Sequence, residues 1–143
     1  MKNNDDQKIL LEVGVKIFLY SELGKFLFLK RSAPYSGQKI CKWDLPGGRI
    51  KPGEKTEKAL KREVREETGL ALEKIEKVLA VQDILRVKEK HIVRITFLGK
   101  CKLGKIKLDS REHSEYKWLN LNELKKYKVD LYLSPVIKQL LDE

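Results

Sequence analysis

The sequence predicts an α/β (α+β) fold, an α/β/α sandwich with a mixed central sheet, in one domain that spans residues 1–143. Apolar, β-prone segments stand before and after one central helical segment, and a second helical segment closes the chain. No repeat or low-complexity tract interrupts this order. A chain of 143 residues is long enough to bury about two thirds of its unfolded surface without disulfide support.

The first third of the chain is predicted to form a hairpin, a loop and a glycine turn. Its apolar segments are rich in Ile, Leu, Val and Phe, and the loop contains proline and glycine. The predicted elements are a strand over residues 8–20, a turn over 21–24, a strand over 26–31, a loop over 32–42 and a short extended segment over 43–45. Gly47 and Gly48 follow, and without a Cβ they allow the backbone to approach a ligand closely.

The central helix carries three glutamates on one face. Thr56 is predicted as its N-cap, because the hydroxyl can accept a free first-turn N–H, and Gly69 as its left-handed C-cap. At about 100° per residue, Glu63, Glu66 and Glu67 lie within about 100° of one another. Apolar helix residues lie inside or beside this arc, whereas the lysines point away. We therefore expect the three glutamates to face the protein rather than water.

Three inward carboxylates need a neutralising partner. Like charges three and four residues apart oppose helix formation, and carboxylates packed toward an interior are costly when unpaired. Oxygen ligands without a nearby Cys or His cluster suit Mg²⁺ or Mn²⁺ better than zinc. Helix geometry alone leaves an alternative open, namely a solvated acidic helix that pairs with its own lysines.

The second half of the chain is predicted to add further strands and two helices. The β-prone segments are residues 75–87, with a bend near Gln82, then 92–101, 104–109 and 116–119. A small helix capped by Asn120 or Asn122 is expected to run through Tyr127. Ser134 and Pro135 are predicted as the N-cap and first residue of a final helix that buries Val136, Ile137, Leu140 and Leu141.

The stretch from Gly48 to Leu70 resembles a complete Nudix box, the signature of the Nudix hydrolases. It contains Gly48, five residues, Glu54, seven residues and then Arg-Glu-Val-Arg-Glu-Glu-Thr-Gly-Leu, and no position departs from the motif. The flanks are also similar to family members, with Trp-Asp-Leu-Pro-Gly-Gly before the box and a glutamate-containing segment ending in Trp118 after it. This resemblance implies the mixed sheet more firmly than the pattern of elements does.

The resemblance implies a metal-dependent pyrophosphohydrolase and assigns roles by position. Glu63, Glu66 and Glu67 resemble the metal ligands and the base, with Mg²⁺ or Mn²⁺ as cofactor, and the carbonyl of Gly47 resembles a further ligand. Arg62 resembles the arginine that orients the neighbouring glutamate, and Glu54 either braces this arginine or complements the helix dipole. The box residues Gly48, Glu54 and Gly69 are expected to have structural roles.

Residues outside the box complete the predicted site. Glu112 stands six residues before Trp118, a spacing similar to that in MutT-like enzymes, and is predicted as a downstream ligand or catalytic carboxylate, with Glu115 in reserve. Arg31 occupies a place similar to a substrate-phosphate arginine. Arg86 and Arg94 are predicted to face a polyphosphate or a base.

Motifs that the sequence lacks reduce the number of candidate substrates. The proline after the box that is typical of ADP-ribose hydrolases is missing, as are the tyrosine of dinucleoside-polyphosphate members and the extended motifs of NADH and coenzyme A members. A MutT-like enzyme acting on a nucleoside triphosphate or another nucleoside diphosphate derivative is therefore expected. Two alternatives stay open: a 5′-end RNA pyrophosphohydrolase and a non-catalytic nucleotide-binding sensor domain.

Composition bounds the partners. The net charge of +10 favours the binding of anions. Because the lysines are dispersed and mix with glutamates, a dedicated nucleic-acid groove is not favoured. A nucleic-acid partner stays open. Cys41 and Cys101 are interpreted as reduced thiols. The polar residues 1–8 argue against a signal peptide, and no uncharged apolar run is long enough to span a membrane. We expect a soluble cytoplasmic protein with no membrane partner, and a homodimer stays open.

Overall fold

The structure, a computed structural model, describes residues 8–35 and 37–143. The elements are β1 (Leu10–Tyr20), β2 (Phe26–Arg31), β3 (Trp43–Asp44), β4 (Gly47–Arg49), α1 (Thr56–Thr68), β5 (Leu72–Ile84), β6 (Lys90–Cys101), β7 (His113–Leu119), a 3₁₀ helix (Leu121–Lys126) and α2 (Ser134–Leu141). The polar residues 1–7, on which part of the signal-peptide argument rests, lie outside the described residues.

The strands form one mixed sheet, which confirms the predicted fold class. Its order is β3-β2-β1-β6-β5, while β4 pairs with β1 and β7 pairs with β2. The long pair β1 and β6 is parallel, and the other paired strands are antiparallel. The predicted opening hairpin is present, with Tyr20 opposite Phe26. β4 takes the place beside the middle of β1, so the glycine turn is held against this strand.

Each face of the sheet packs against helices. Alternate residues of β1 point to opposite faces, as in any strand, so Ile17 belongs to the core under α1 and Phe18 to the core under α2. In the first core, Leu60 and Val64 of α1 are fully buried. The second core contains Val136 and Ile137 of α2 and Leu124 of the 3₁₀ helix. The sheet is therefore the middle layer of a sandwich, and both layers of helix are held by apolar burial.

The helix ends differ from the predicted caps at two positions. The N-cap of α1 is Lys55 without a side-chain cap bond, and Thr56 is already the first helical residue. The preceding turn is fixed instead by Glu54, whose carboxylate accepts from the backbone N–H of Lys51 at 3.1 Å. Ser134 is also helical rather than a cap, because the helical backbone begins at Leu133. The predicted C-cap of α1 is confirmed, with Gly69 at φ 75°.

The observed strand bounds differ from the predicted ones where long-range pairing outweighs local propensity. β7 begins at His113, three residues before the predicted start, because these residues pair with the end of β2. The β-like segment 104–109 is not a strand. Its backbone instead meets the end of α1, where the N–H of Lys107 donates to the carbonyl of Thr68 at 2.9 Å. Leu141 of α2 remains 39% exposed, so the expected burial of this residue is wrong.

No helix among residues 8–35 and 37–143 is long and apolar enough to cross a membrane. Cys41 and Cys101 are both free thiols, as the sequence predicts.

Candidate active site

A polar cleft of about 520 Å³ opens where the glycine turn, the acidic helix and the ends of several strands meet. The cleft walls carry charged residues of both signs and further polar groups. They are Lys16, Arg31, Tyr35, Arg49, Glu63, Glu67, Arg86, Arg94, Arg111, Glu112 and His113, together with the backbone of Gly47 and Gly48. Most of the site residues predicted from the sequence therefore share one cavity.

The glycine turn fits its place only without side chains. β4 runs antiparallel to β1, with Gly47 opposite Lys16 and Gly48 opposite Val15. Gly47 has φ 140°, and a Cβ there would lie 1.9 Å from the carbonyl oxygen of Val15. A Cβ on Gly48 would lie 2.5 Å from Oε2 of Glu63. The two glycines thus bring the backbone into contact with β1 and with α1.

Lys16 holds the glycine turn from the side of β1. Its Nζ donates to the carbonyl oxygens of Leu45 at 3.0 Å and Gly47 at 3.4 Å, and it lies 3.7 Å from Oδ2 of Asp44. The Gly47 carbonyl, predicted as a metal ligand, is thus adjacent to an ammonium group.

The three clustered glutamates near the end of α1 differ in exposure. The Glu67 side chain is 3% exposed, that of Glu63 15% and that of Glu66 56%. Glu66 therefore does not face the protein, and that expectation is wrong for this residue. It lies at the outer edge of the helix face, where its carboxylate accepts from Nη1 of Arg62 at 3.2 Å. Glu63 and Glu67 line the cleft.

Glu67 is held by one backbone bond. The N–H of Gly47 donates to Glu67 Oε1 at 2.8 Å, which leaves Oε2 near the imidazole of His113, 3.5 Å from its Nδ1. Burial raises the pKa of Glu67 to about 8, although the nearby ammonium of Lys16 opposes this shift. In the metal-free protein this carboxyl group is therefore protonated at neutral pH.

Arg62 connects the helix to the glycine turn. Its guanidinium binds both oxygens of Glu54, at 2.7 and 2.9 Å, and donates to Glu63 Oε1 at 2.8 Å and to the carbonyl of Arg49 at 3.0 Å. The bidentate bond lowers the pKa of Glu54 to about 2. Glu54 is thus bonded to Arg62, and Arg62 in turn to Glu63, the pairs of residues that the resemblance links.

The segment before Trp118 places its two candidate glutamates differently. Carboxylate oxygens of Glu67 and Glu112 and a ring nitrogen of His113 all lie within 4.8 Å of one another. Glu115 instead lies on β7 and pairs with Lys30 at 3.4 Å. Burial lowers the pKa of His113 to about 4, so its imidazole is neutral at physiological pH. Glu112 therefore belongs to the cleft and Glu115 to a surface ion pair.

Another wall of the cleft carries a stack of arginine and tyrosine side chains. The guanidinium carbon of Arg31 lies 4.1 Å from the ring centre of Tyr35, and that of Arg86 lies 4.6 Å from it. Arg86 also lies 5.0 Å from the ring of Tyr132. Such cation–π contacts hold both arginines at the cleft.

Arg94 is buried beneath this wall and is paired with two acids. Its Nη2 donates to Asp44 at 2.9 Å and its Nη1 to Asp130 at 3.0 Å, and the hydroxyl of Tyr35 donates to Asp44 at 2.6 Å. The positive charges of Arg94 and Lys16 hold the pKa of Asp44 well below its usual range, against the effect of burial. Arg86 Nη1 lies 2.7 Å from Asp130 Oδ1 without hydrogen-bond angles, so this contact is an ion pair. Arg94 thus forms the floor of the cleft.

Sequence reasoning missed several residues of the site, namely Lys16, Tyr35, Asp44, Asp130 and His113. For Lys16, a signal was present, since a lysine inside an apolar strand must find a polar partner. For Asp130 and Tyr35 no local pattern indicated the site, because they reach it through loops.

Comparisons with known proteins agree with this geometry. The NUDIX domain family matches residues 10–140. A Bacillus subtilis protein named "Putative 8-oxo-dGTP diphosphatase" is 32% identical over 111 residues, which cover 78% of this chain and 68% of that protein. An ADP-ribose pyrophosphatase of Methanocaldococcus jannaschii is 34% identical over 108 residues, 74% of this chain and 60% of that protein.

Solved structures place the fold in the same group. The crystal structure of a MutT protein from Methanosarcina mazei Go1 superimposes with a TM-score of 0.78 at 29% identity and covers 92% of this chain and 94% of that chain. The matched relatives are hydrolases of phosphate anhydrides, as their names state. The match over residues 10–140 and the complete box, whose Glu63 and Glu67 line the cleft, identify this chain as a member of the Nudix hydrolase family, with a MutT-like fold.

Proposed function

We propose that this protein is a metal-dependent Nudix pyrophosphohydrolase that cleaves a diphosphate linkage in a nucleoside triphosphate or another nucleoside diphosphate derivative. One observation carries the proposal. Glu67 is a buried carboxyl group fixed at Oε1 by the Gly47 N–H, and it lines the same cleft as Arg31 and Arg86. Carboxyl groups that can activate water and cations that can hold phosphates thus share one cavity.

The residues present fit a divalent cation. Glu63, Glu67 and Glu112 bring three carboxyl groups to one cleft, where the charges of Glu63 and Glu112 add to the effect of burial in raising the pKa of Glu67. Oxygen donors prevail, as Mg²⁺ and Mn²⁺ require. Glu63, Glu67, the Gly47 carbonyl and Glu112 would hold the cation, with Glu66 at the outer edge. When bound, such an ion neutralises phosphate charge and lowers the pKa of the attacking water.

Different protein residues position the reacting groups and stabilise charge, the two main requirements of phosphoryl transfer. Water attacks one phosphorus, the bridging P–O bond breaks, and the leaving phosphate takes the bridging oxygen. Arg62 holds the Glu63 carboxylate in the cleft. The Gly47 N–H fixes Glu67 so that Oε2 is free for a cation or for the proton of the attacking water.

The basic wall supports a polyphosphate substrate. The guanidinium groups of Arg31 and Arg86 both lie over the ring of Tyr35, and the net charge of +10 favours the approach of anions. We infer that Arg31 and Arg86 bind phosphates, Arg86 while it also pairs with Asp130. Arg94 maintains the floor of the cleft, because its guanidinium bonds to two carboxylates. The relative named "Putative 8-oxo-dGTP diphosphatase" favours nucleoside triphosphates as the first substrates to test.

We place the enzyme in the cytoplasm. The free thiols of Cys41 and Cys101 support this proposal, because thiols stay reduced in that compartment.

A substrate panel tests the proposal. Release of pyrophosphate and phosphate would be measured with Mg²⁺ or Mn²⁺ for nucleoside triphosphates, ADP-ribose, nucleotide sugars and 5′-triphosphate RNA. Metal-dependent turnover of a nucleoside triphosphate to a monophosphate and pyrophosphate supports the proposal. Turnover of RNA alone, with a steep salt dependence of binding, would instead identify a 5′-end RNA pyrophosphohydrolase. Nucleotide binding without any turnover would identify a sensor domain.

A further inference from the structure

The imidazole of His113 is a buried polar group without a partner. Its side chain is 4% exposed, and Nδ1 has no hydrogen bond among the described residues. Buried polar atoms nearly always have a partner, so an unpaired one calls for an explanation. His113 also lines the cleft, where a small ligand could supply that partner.

The surroundings of this nitrogen contain ligand atoms. Glu67 Oε2 lies 3.5 Å from His113 Nδ1, and the carboxylate of Glu112 belongs to the same group of atoms, all within 4.8 Å of one another. Ligands about 2.1 Å from one ion lie about 3 to 4 Å apart, so small side-chain shifts would allow these three atoms to share one cation. Since Oε1 of Glu67 already accepts from Gly47, Oε2 remains available.

We propose that His113 Nδ1 is a metal ligand, which with Glu67 and Glu112 forms a mixed nitrogen and oxygen site that prefers Mn²⁺ to Mg²⁺. This inference rests on the proposed function, because the ion would lie in the same cleft. Mg²⁺ favours oxygen ligands and retains its water molecules, whereas imidazole suits transition metals. A single histidine among carboxylates therefore shifts the preference toward Mn²⁺.

A direct hydrogen bond between the two side chains explains the geometry less well. Their 3.5 Å separation exceeds the usual length of such a bond, about 2.7–3.2 Å. A cation between Nδ1 and Oε2 would satisfy both atoms at that separation.

Pulsed electron paramagnetic resonance tests the proposal. Mn²⁺ alone would be added to the metal-free protein, and echo modulation from a directly bound ¹⁴N nucleus would be recorded. The chain has two histidines, so His91→Gln provides a matched control. His91 is partly exposed and pairs with Asp83 at 2.7 Å. We expect nitrogen modulation in the wild type and in His91→Gln, and its loss in His113→Gln.

Metal affinity gives a second measurement. Loss of an outer-shell partner of a metal site costs about 10–100-fold in affinity, and loss of a ligand should cost at least as much. By calorimetry, His113→Gln should therefore weaken Mn²⁺ binding by about tenfold or more and change Mg²⁺ binding much less, while His91→Gln leaves both unchanged.

The outcomes separate this inference from the proposed function. Mn²⁺ that binds and supports turnover but shows no nitrogen modulation in the wild type overturns the His113 assignment and leaves the pyrophosphohydrolase intact. This result needs no variant, so it stands even if His113→Gln fails to fold. Absence of any Mn²⁺ binding overturns both the assignment and the metal dependence of the proposed reaction.

Discussion

Gly48 lies directly against the carboxylate of Glu63, and a Cβ on this glycine would lie 2.5 Å from Glu63 Oε2. Gly48→Ala should therefore push the Glu63 side chain away from its bond with Arg62. Because the obstacle is the end of a flexible side chain, we expect a loss of unfolding free energy of about 1 kcal/mol or less. Turnover should fall at least about tenfold, since the displaced carboxylate belongs to the proposed metal site.

Gly47→Ala provides the matched contrast one residue away. Here a Cβ would lie 1.9 Å from the backbone oxygen of Val15, at φ 140°. The strand backbone cannot move aside cheaply, so this variant should lose about 4 kcal/mol or more of unfolding free energy. Chemical denaturation of the two variants checks the pair. Equal stability losses would contradict the packing described for the glycine turn.

The free energy of unfolding of the metal-free protein should decrease as the pH rises, because Glu67 loses its proton. Its pKa is about 8 in the folded state and near 4.5 without the fold, so the folded state binds the extra proton between these values. His113 has the opposite effect, but only between its folded pKa of about 4 and its usual 6.5. Between pH 6.5 and 8 Glu67 acts without this opposition, and the free energy of unfolding should fall by about 2 kcal/mol.

The variant Glu67→Gln isolates this effect, because the amide oxygen can still accept from the Gly47 N–H. Denaturation of the metal-free variant between pH 6.5 and 8 should lack the wild-type decrease. Glu57→Gln, in the first turn of the same helix, should retain it. A wild type whose stability is independent of pH in this window would show that Glu67 is not a buried, protonated group.

Arg94 should support the fold rather than bind substrate. Removing a partner from a buried ion pair typically costs about 3–5 kcal/mol, because the remaining charges stay buried. Arg94→Gln should therefore destabilise the protein by about this amount, because Asp44 and Asp130 would stay buried without the guanidinium that bonds to both of them. Arg31→Gln, at the partly exposed cleft wall, should raise KM and leave stability within about 0.5 kcal/mol. Thermal unfolding and substrate titration distinguish the two, and the reverse pattern would contradict these roles.

The part of the site that helix geometry predicts lies within one helix and its turn. The spacing of Glu63 and Glu67 follows from helical geometry, and the resemblance to the Nudix box supplied the role of Arg62. Helical periodicity could not predict that Glu67 is buried and Glu66 is exposed, because this difference depends on how α1 packs against β4.

Long-range contacts explain why the positions of Arg94 and Tyr35 were not predicted from the sequence. Arg94 was predicted to meet the substrate, but the parallel pairing of β1 with β6 and the loop that carries Asp130 bury it. Tyr35 reaches the site from a loop whose sequence contains only turn signals. The fold class was predictable because the order of apolar segments and the two helices suggests a sandwich without knowledge of register, and the resemblance to the Nudix box implied the mixed sheet more firmly.

The most direct test of the central claim is pyrophosphate release from a nucleoside triphosphate by wild type, Glu67→Gln and the control Glu57→Gln. We predict that the wild type and Glu57→Gln require Mg²⁺ or Mn²⁺ and lose activity with a chelator. Glu67→Gln should remain folded and lose about 10²–10⁴-fold in kcat. Full activity of folded Glu67→Gln, or wild-type turnover that persists without any divalent metal, would contradict the account.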